Sequence, residues 1–293
     1  MDLQYKIPYL IMNVKMRAAD GEAGLPVWFS SAVRGALGTE MLAAFCRCKV
    51  INCTECTEKC SAGILYAGDP HHSNEQAISP YVISGDSFDG ENLEFRITLF
   101  SEGVRVASDV ISVLRKGLRL GAGRSLFELV SVTDNETDEV IFDGLIQTEP
   151  VIHYFVFEDH KTSESIKAVR VDFITPFRTK VSANQFSFET LIRASLRRIS
   201  AVLKLSGETP EIDYEKLLHK AETVETEIRK FRTHKTQRYS NRSGSHMDVT
   251  GFTGYAVYRG DIAEFMPLFR FAEIINLGKL CVMGLGEIKV TVL

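Results

Sequence analysis

The sequence predicts an α+β fold in two halves of similar design, and three observations carry that expectation. Segments such as Leu93-Glu94-Phe95-Arg96-Ile97-Thr98-Leu99-Phe100 alternate apolar and polar residues, the period of a half-buried strand. Segments such as Phe188 to Leu205 repeat apolar residues at the spacing of an amphipathic helix. The order strand, helix, paired strands, helix, strand runs through the first half and returns in outline in the second. A length of 293 residues fits about two domains.

Taken in order, Leu3 to Met16 reads as a strand bounded by Ala18-Ala19-Asp20-Gly21. Pro26-Val27-Trp28-Phe29 then opens a helix, with Ser30 or Ser31 as its N-cap and Val33, Ala36, Leu37, Met41, Leu42 and Phe45 along its apolar side. Pro80-Tyr81-Val82-Ile83 and Leu93 to Phe100 are paired strands, Val104 to Leu118 a helix and Leu126 to Val132 a strand. This is the split βαβ, or ferredoxin-like, order. Polar residues Glu158 to Glu164 mark the expected boundary between domains 1–160 and 161–293. The second cycle has a strand from Lys167 to Ile174 stopped at Thr175-Pro176, then the helix from Phe188 to Leu205 with Arg193, Arg197 and Arg198 on its polar side. A second helix is expected from Tyr214 to Lys230, then a strand from Gly251 to Tyr258, a helix from Asp261 to Ile274, and a closing strand from Gly284 to Leu293. The expected architecture is two tandem ferredoxin-like (RRM-like) domains. The first carries a cysteine-rich insertion, the second a helical insertion and a C-terminal glycine-rich loop.

Composition narrows the function classes. Apolar content of 45% and charged content of 25% are those of a globular chain, and no apolar run is long enough to span a membrane. The N-terminus lacks the basic start and apolar core of a signal peptide, so a cytoplasmic location is expected. The net charge of −4 excludes a uniformly nucleic-acid-coating protein, but charge is uneven. Arg170 to Arg242 hold 15 Lys+Arg against 9 Asp+Glu, and six basic residues with one histidine and no acid lie between Arg229 and Arg242. Such an excess either footprints a polyanion or is a solvated helix end and loop.

Five of the six cysteines, Cys46, Cys48, Cys53, Cys56 and Cys60, fall within fifteen positions. Cys53-x-x-Cys56 can form a knuckle, with Cys60 and either Cys46 or Cys48 completing four thiolates. Soft sulfur ligands suit one structural zinc or, alternatively, an iron–sulfur cluster; the bland alternative is a set of free thiols. His71 and His72 lie in a polar loop, either as exposed side chains or as an acid–base group. Near the C-terminus, Gly278-Lys279 and Gly284-Leu285-Gly286 form either a hairpin connection or a backbone surface open to phosphate.

No Walker loop, His-Glu-x-x-His helix or nucleophile elbow is present, which removes nucleotide hydrolysis, zinc proteolysis and esterase chemistry. Basic and glycine-rich surface interleaved with tyrosine and histidine fits RNA: cations pair phosphates and tyrosine stacks an unpaired base. An imidazole can take a ribose 2′-OH proton while Arg or Lys stabilises charge at phosphorus.

The order of Arg34-Gly35-Ala36-Leu37-Gly38, the cysteine cluster, Pro80-Tyr81-Val82-Ile83, Thr175-Pro176-Phe177-Arg178, Arg197-Arg198-Ile199, Arg238-Tyr239-Ser240 and Gly278-Lys279-x-x-x-x-Gly284-Leu285-Gly286 resembles one family across nearly the whole chain. It is the CRISPR-associated RAMP-superfamily endoribonucleases that process precursor CRISPR RNA, in the clade with a cysteine-bearing N-terminal half. The resemblance implies metal-independent cleavage within CRISPR repeats that leaves a 2′,3′-cyclic phosphate. One departure stands at Asn276, where the family pattern often has histidine; asparagine cannot act as a base at neutral pH. The catalytic candidates are therefore His234, then His71 and His72, supported by Lys235, Arg238 and Tyr239, with a surface imidazole as the plain alternative for His234. Candidates for RNA binding are Arg34, Arg178, Arg193, Arg197, Arg238, Gly278, Lys279, Gly284 and Gly286. Expected partners are repeat RNA, effector-complex subunits or a homodimer partner, and no membrane. The alternative functions are a non-catalytic RAMP subunit that holds guide RNA and a zinc-stabilised interaction module.

Overall fold

Strand β1 (Lys6–Ala18) shows how one segment serves two cores. Leu10, Met12, Val14, Met16 and Ala18 alternate onto one face and pack with the helices of the N-terminal half. Ile7, Tyr9 and Ile11 point the other way and join the core of the C-terminal half. The computed structural model describes residues 5–46, 60–66, 78–157, 165–235, 237–240 and 245–293. The expected boundary segment, the pair His71 and His72, and Cys48, Cys53 and Cys56 fall outside these residues.

The N-terminal half continues with α1 (Ser30–Phe45), α2 (Ser61–Tyr66), β2 (Tyr81–Phe88), β3 (Asn92–Phe100), α3 (Ala107–Leu114), β4 (Leu118–Leu120), β5 (Ser125–Asp134), β6 (Val140–Phe142) and β7 (His153–Val156). Its antiparallel sheet has the order β2-β3-β1-β5-β4, with β6 on β5 and β7 on β1. The four strands of the ferredoxin-like motif are β1, β2, β3 and β5. His153 ties β7 down, its Nε2 standing 2.8 Å from Asp134 Oδ2. Helix α1 is not capped as expected: Phe29 holds the N-cap position without a side-chain bond, and Ser30 is buried. Ser30 is instead drawn into close packing with Gly85 and Gly284. The expected helix Val104 to Leu118 is shorter, a 3₁₀ turn (Ser101–Val106) followed by α3, because Leu118 already pairs Phe127 in the sheet.

The C-terminal half comprises β8 (Ala168–Phe177), α4 (Phe188–Leu205), α5 (Tyr214–Glu222), β9 (Glu225–His234), β10 (Gln237–Ser240), β11 (Ser245–Asp248), β12 (Gly251–Arg259), α6 (Met266–Ile275) and β13 (Ile288–Val292). Its antiparallel sheet has the order β13-β8-β12-β9, again ferredoxin-like. One expectation fails: Tyr214 to Lys230 is not a single helix. The chain leaves α5 at Thr223 and enters β9, where Arg229, Lys230 and Arg232 pair with Ala256, Tyr255 and Thr253. Glutamate, lysine and arginine are good helix formers, but β12 needs a strand partner, and tertiary pairing overrides local propensity.

The halves are asymmetric. Helices α4 and α6 lie between the two sheets. Phe271 of α6 meets Phe155 and Phe157 of the N-terminal half at ring-centroid distances of 4.8 and 5.1 Å, and Phe100 joins the same core. Buried Arg198 of α4 donates to the Ile275 carbonyl at the end of α6 (3.1 Å) and lies 5.6 Å from the Phe100 ring. Its cation thus caps a helix C-terminus while bridging the halves.

The loop between α6 and β13 locks this arrangement. Asn276, 2% exposed, has φ 55° and ψ 163° and donates from Nδ2 to the Leu285 carbonyl (3.2 Å). Leu277 N–H donates to Gly286 O (2.8 Å) and Gly286 N–H to Pro176 O (3.2 Å). A Cβ on Gly286, whose φ is +76°, would lie 1.6 Å from Leu277 O. A Cβ on Gly284 would lie 2.5 Å from Ile83 O, in the other half. Arg96 and Glu287 close the seam with a 2.7 Å ion pair. Gly286→Ala should therefore cost about 2–4 kcal/mol of stability, read from the urea midpoint. Gly35→Ala, in α1 with nothing within 4 Å of its Cβ, should gain about 0.5–1 kcal/mol by removing a helical glycine. Equal midpoints for the two variants would contradict this account of the loop.

Candidate nucleic-acid interface

The three strand ends at one edge of the C-terminal sheet bring the candidate residues together. Phe177, the last residue of β8, pairs with Phe252, and the neighbouring Gly251 pairs with His234 at the end of β9. Arg178 and His234 thus extend from the same end of the sheet, two strand spacings or roughly 10 Å apart. The loop after α6 joins them, as Lys279 N–H donates to the Arg178 carbonyl (3.1 Å). Gly278 allows this: at φ +90° it lies so close that a Cβ would stand 2.9 Å from Arg178 O.

His234 is half-buried, and its Nε2 is 2.7 Å from Thr253 Oγ1. Trp28, from the segment before α1, presents its ring edge-on with centroids 6.0 Å apart. One imidazole nitrogen is thereby held by a hydroxyl. Lys235, next to it in sequence, and Lys279, bonded to the Arg178 backbone, are both exposed. Arg178 donates from Nη1 to the Asp248 carbonyl, and its Nη2 is 3.8 Å from Asp248 Oδ2. This anchors the strand β11 to the site, and nearby bonds from Thr250 hold the Asp248 carboxyl below its ordinary range.

Other candidates lie elsewhere. Arg193 pairs with Glu189 on the outer face of α4, and Arg197 is exposed on the same face, pointing away from the sheet. Arg34 turns inward, its Nε donating to Tyr81 Oη (3.2 Å) and its guanidinium lying 5.2 Å from the Tyr66 ring. Burial pushes the Tyr81 hydroxyl above its usual range, with Arg34 opposing. Gly284 and Gly286 are buried in the seam between halves. Asn276 is buried there as well, so its residue type shapes the loop instead of serving proton transfer. Arg238 and Tyr239 lie on the hairpin of β10 and β11, where Arg238 pairs Met247 and Tyr239 pairs His246. Cys46 ends α1 and Cys60 precedes α2, where Gly63 N–H donates to Cys60 Sγ (3.3 Å). Among the described residues no group of three or more histidine, cysteine or carboxylate side chains is placed to hold a metal, and no helix is long and apolar enough to cross a membrane.

Sequence reasoning missed Trp28 and Thr253. Trp28 is the single tryptophan, in an exposed-looking apolar run before a helix, and only the fold shows that it crosses to the other half.

Residues 171–288, which include this whole constellation except Trp28, match the family model described as CRISPR-associated endoribonuclease Cas6. Over these residues the chain is similar to that family. Residues 7–151 match a second model, described as an N-terminal domain. An uncharacterized protein of Archaeoglobus fulgidus is 26% identical over 293 residues, covering 96% of this chain and 97% of that protein. Among solved structures, a Cas6 product complex aligns with a TM-score of 0.59 at 17% identity, covering 96% of this chain and 99% of that chain. The Thermus thermophilus Cas6 aligns with a TM-score of 0.58 at 16% identity, covering 98% and 99%. The chain therefore shares the tandem ferredoxin-like fold of these structures over its length, in keeping with the strand order of its two sheets.

Proposed function

We propose that this chain cuts precursor CRISPR RNA within its repeats to release guide RNAs. The observation that supports this reading best is the meeting of His234, Arg178, Lys235 and Lys279 at one end of the C-terminal sheet. In the reaction, the ribose 2′-OH gives its proton to the His234 imidazole as its oxygen attacks the adjacent phosphorus. The P–O5′ bond breaks, the leaving oxygen is protonated, and the products are a 2′,3′-cyclic phosphate and a 5′-OH. Lys235, Lys279 and Arg178 stabilise negative charge on the phosphate oxygens. No step uses a metal. A second reading, a subunit that holds guide RNA without cutting it, draws support from the half-burial of His234 between Thr253 and Trp28, a packing that also suits a structural imidazole.

Repeat RNA incubated with the protein in EDTA should be cut to a cyclic phosphate end, and His234→Ala should lower the single-turnover rate by about 10²–10⁴-fold. A substrate with 2′-deoxyribose at the cut site should not be cleaved. Uncut but retained RNA would establish the second reading, and cleavage of the deoxy substrate would sink the 2′-OH mechanism.

We further propose that the cysteines around α1 and α2 hold one structural zinc, for which Cys46 and Cys60 supply two thiolates. Cys60 Sγ already accepts a bond from the Gly63 backbone N–H, which fixes the orientation of that sulfur. Purified protein should carry about one zinc per chain, and Cys60→Ser should reduce that content and lower the melting temperature. Iron with sulfide in the purified protein would replace zinc by a cluster.

A further inference from the structure

The two sheets differ in what covers them. The N-terminal sheet is packed on both faces, by its own helices and by α6. The C-terminal sheet buries Val169, Val171, Phe173 and Val290 under α4 and α6, while on its other face Arg170, Asp172 and Tyr255 are half-exposed and Lys230, Lys289 and Ile174 exposed. That open face carries a connected row across all four strands: Lys230 of β9 beside Tyr255 of β12, Tyr255 beside Asp172 of β8, and Asp172 beside Lys289 of β13. Arg232, Thr253 and His234 continue it toward the end of the sheet where Trp28 stands, and Ile174 is 49% exposed on it.

Tyr255 is held in position. The Arg170 guanidinium lies 3.9 Å from its ring centroid and is itself fixed by a bidentate pair with Asp172 (Nε to Oδ2 3.0 Å, Nη2 to Oδ1 2.6 Å). Lys230 Nζ is 5.9 Å from the same centroid. Lys230, Arg232 and Lys289 are exposed and have no acidic partner among the described residues, while the carboxylate of Asp172 is occupied by Arg170. At the far end Arg259 is paired with Glu227. An aromatic ring braced by a guanidinium, within a field of unpaired cations on an uncovered sheet, matches a single-stranded polyanion bearing flat bases. An apolar protein partner would leave those cations to be desolvated without compensation.

We propose that the open face of the C-terminal sheet is a second RNA-contacting surface, on which an unpaired base of the substrate adds to the Arg170–Tyr255 stack and Lys230, Arg232 and Lys289 pair its phosphates. This rests on the RNA-cutting reading above and names the strand's path: from His234 along β9 to Lys230 is four residues, or roughly 13 Å, so the surface receives unpaired nucleotides flanking the cut. The contact is sequence-tolerant, since every base has a π face.

Binding of repeat RNA with 2-aminopurine placed at successive unpaired positions tests this, with uncleavable 2′-deoxy substitution at the cut site. Tyr255→Leu is expected to weaken binding by about 10-fold or more and to abolish the quenching of one 2-aminopurine position, while Tyr255→Phe keeps both. Lys230→Ala/Lys289→Ala, which leaves the ring in place, is expected to reduce the slope of log Kd against log salt by about 1–2. Wild-type affinity, quenching and salt slope in these variants would overturn the proposal while leaving the cutting reading intact. Failure of the unmodified protein to bind repeat RNA at all would defeat both.

Discussion

Among the described glycines, Gly286 leaves the least room for a side chain. Its α-carbon sits so close to the Leu277 carbonyl that no side chain fits, and its N–H is bonded to Pro176 at the end of β8. Everything at the proposed active end is referenced to this contact. The loop it closes carries Lys279 onto Arg178, presses Gly284 against Ile83 of the other half, and delivers Glu287 to Arg96. The halves are thus joined by backbone packed against backbone, which fixes their relation more tightly than flexible surface side chains would. Buried Arg198 serves the same joint from the opposite side, with the Ile275 carbonyl and the Phe100 ring in place of a carboxylate.

The consequence is a division of labour between two sheets of the same topology. The N-terminal sheet gives up both faces to packing, and its role is to hold α1 and Trp28 at the edge of its partner. The C-terminal sheet keeps one face free. Lys230 and Arg232 lie on β9 and Lys289 on β13, the two edge strands, where charge is tolerated and also discourages pairing with another chain. Strand β9 ends in the imidazole, and the cations of the proposed chemistry come from three places beside it: Lys235 just past β9, Arg178 just past β8 and Lys279 in the loop after α6.

The fold was largely legible because its signals are local. Alternation in β3, helical periodicity in α4 and the stop at Thr175-Pro176 each carry their own physical warrant. Strand β9 was not legible: Glu225 to Lys230 is composed of good helix formers, and only the unmet pairing of β12 makes it a strand. The glycine loop was recognised as a place of close backbone approach, but sequence cannot say what approaches. Gly278 meets Arg178, whereas Gly284 and Gly286 meet Ile83 and Leu277. Likewise, arginines look alike in a sequence. Arg178 faces the site, Arg34 faces two tyrosines, Arg198 caps a helix, and Arg193 and Arg197 face solvent on α4.

The central claim is that RNA meets this chain at the end and open face of the C-terminal sheet. Photo-crosslinking of repeat RNA followed by peptide mapping addresses it directly. Adducts on the peptides holding Trp28, His234 and the start of β12 are the result expected. Adducts confined to the outer face of α4, at Arg193 and Arg197, would contradict it.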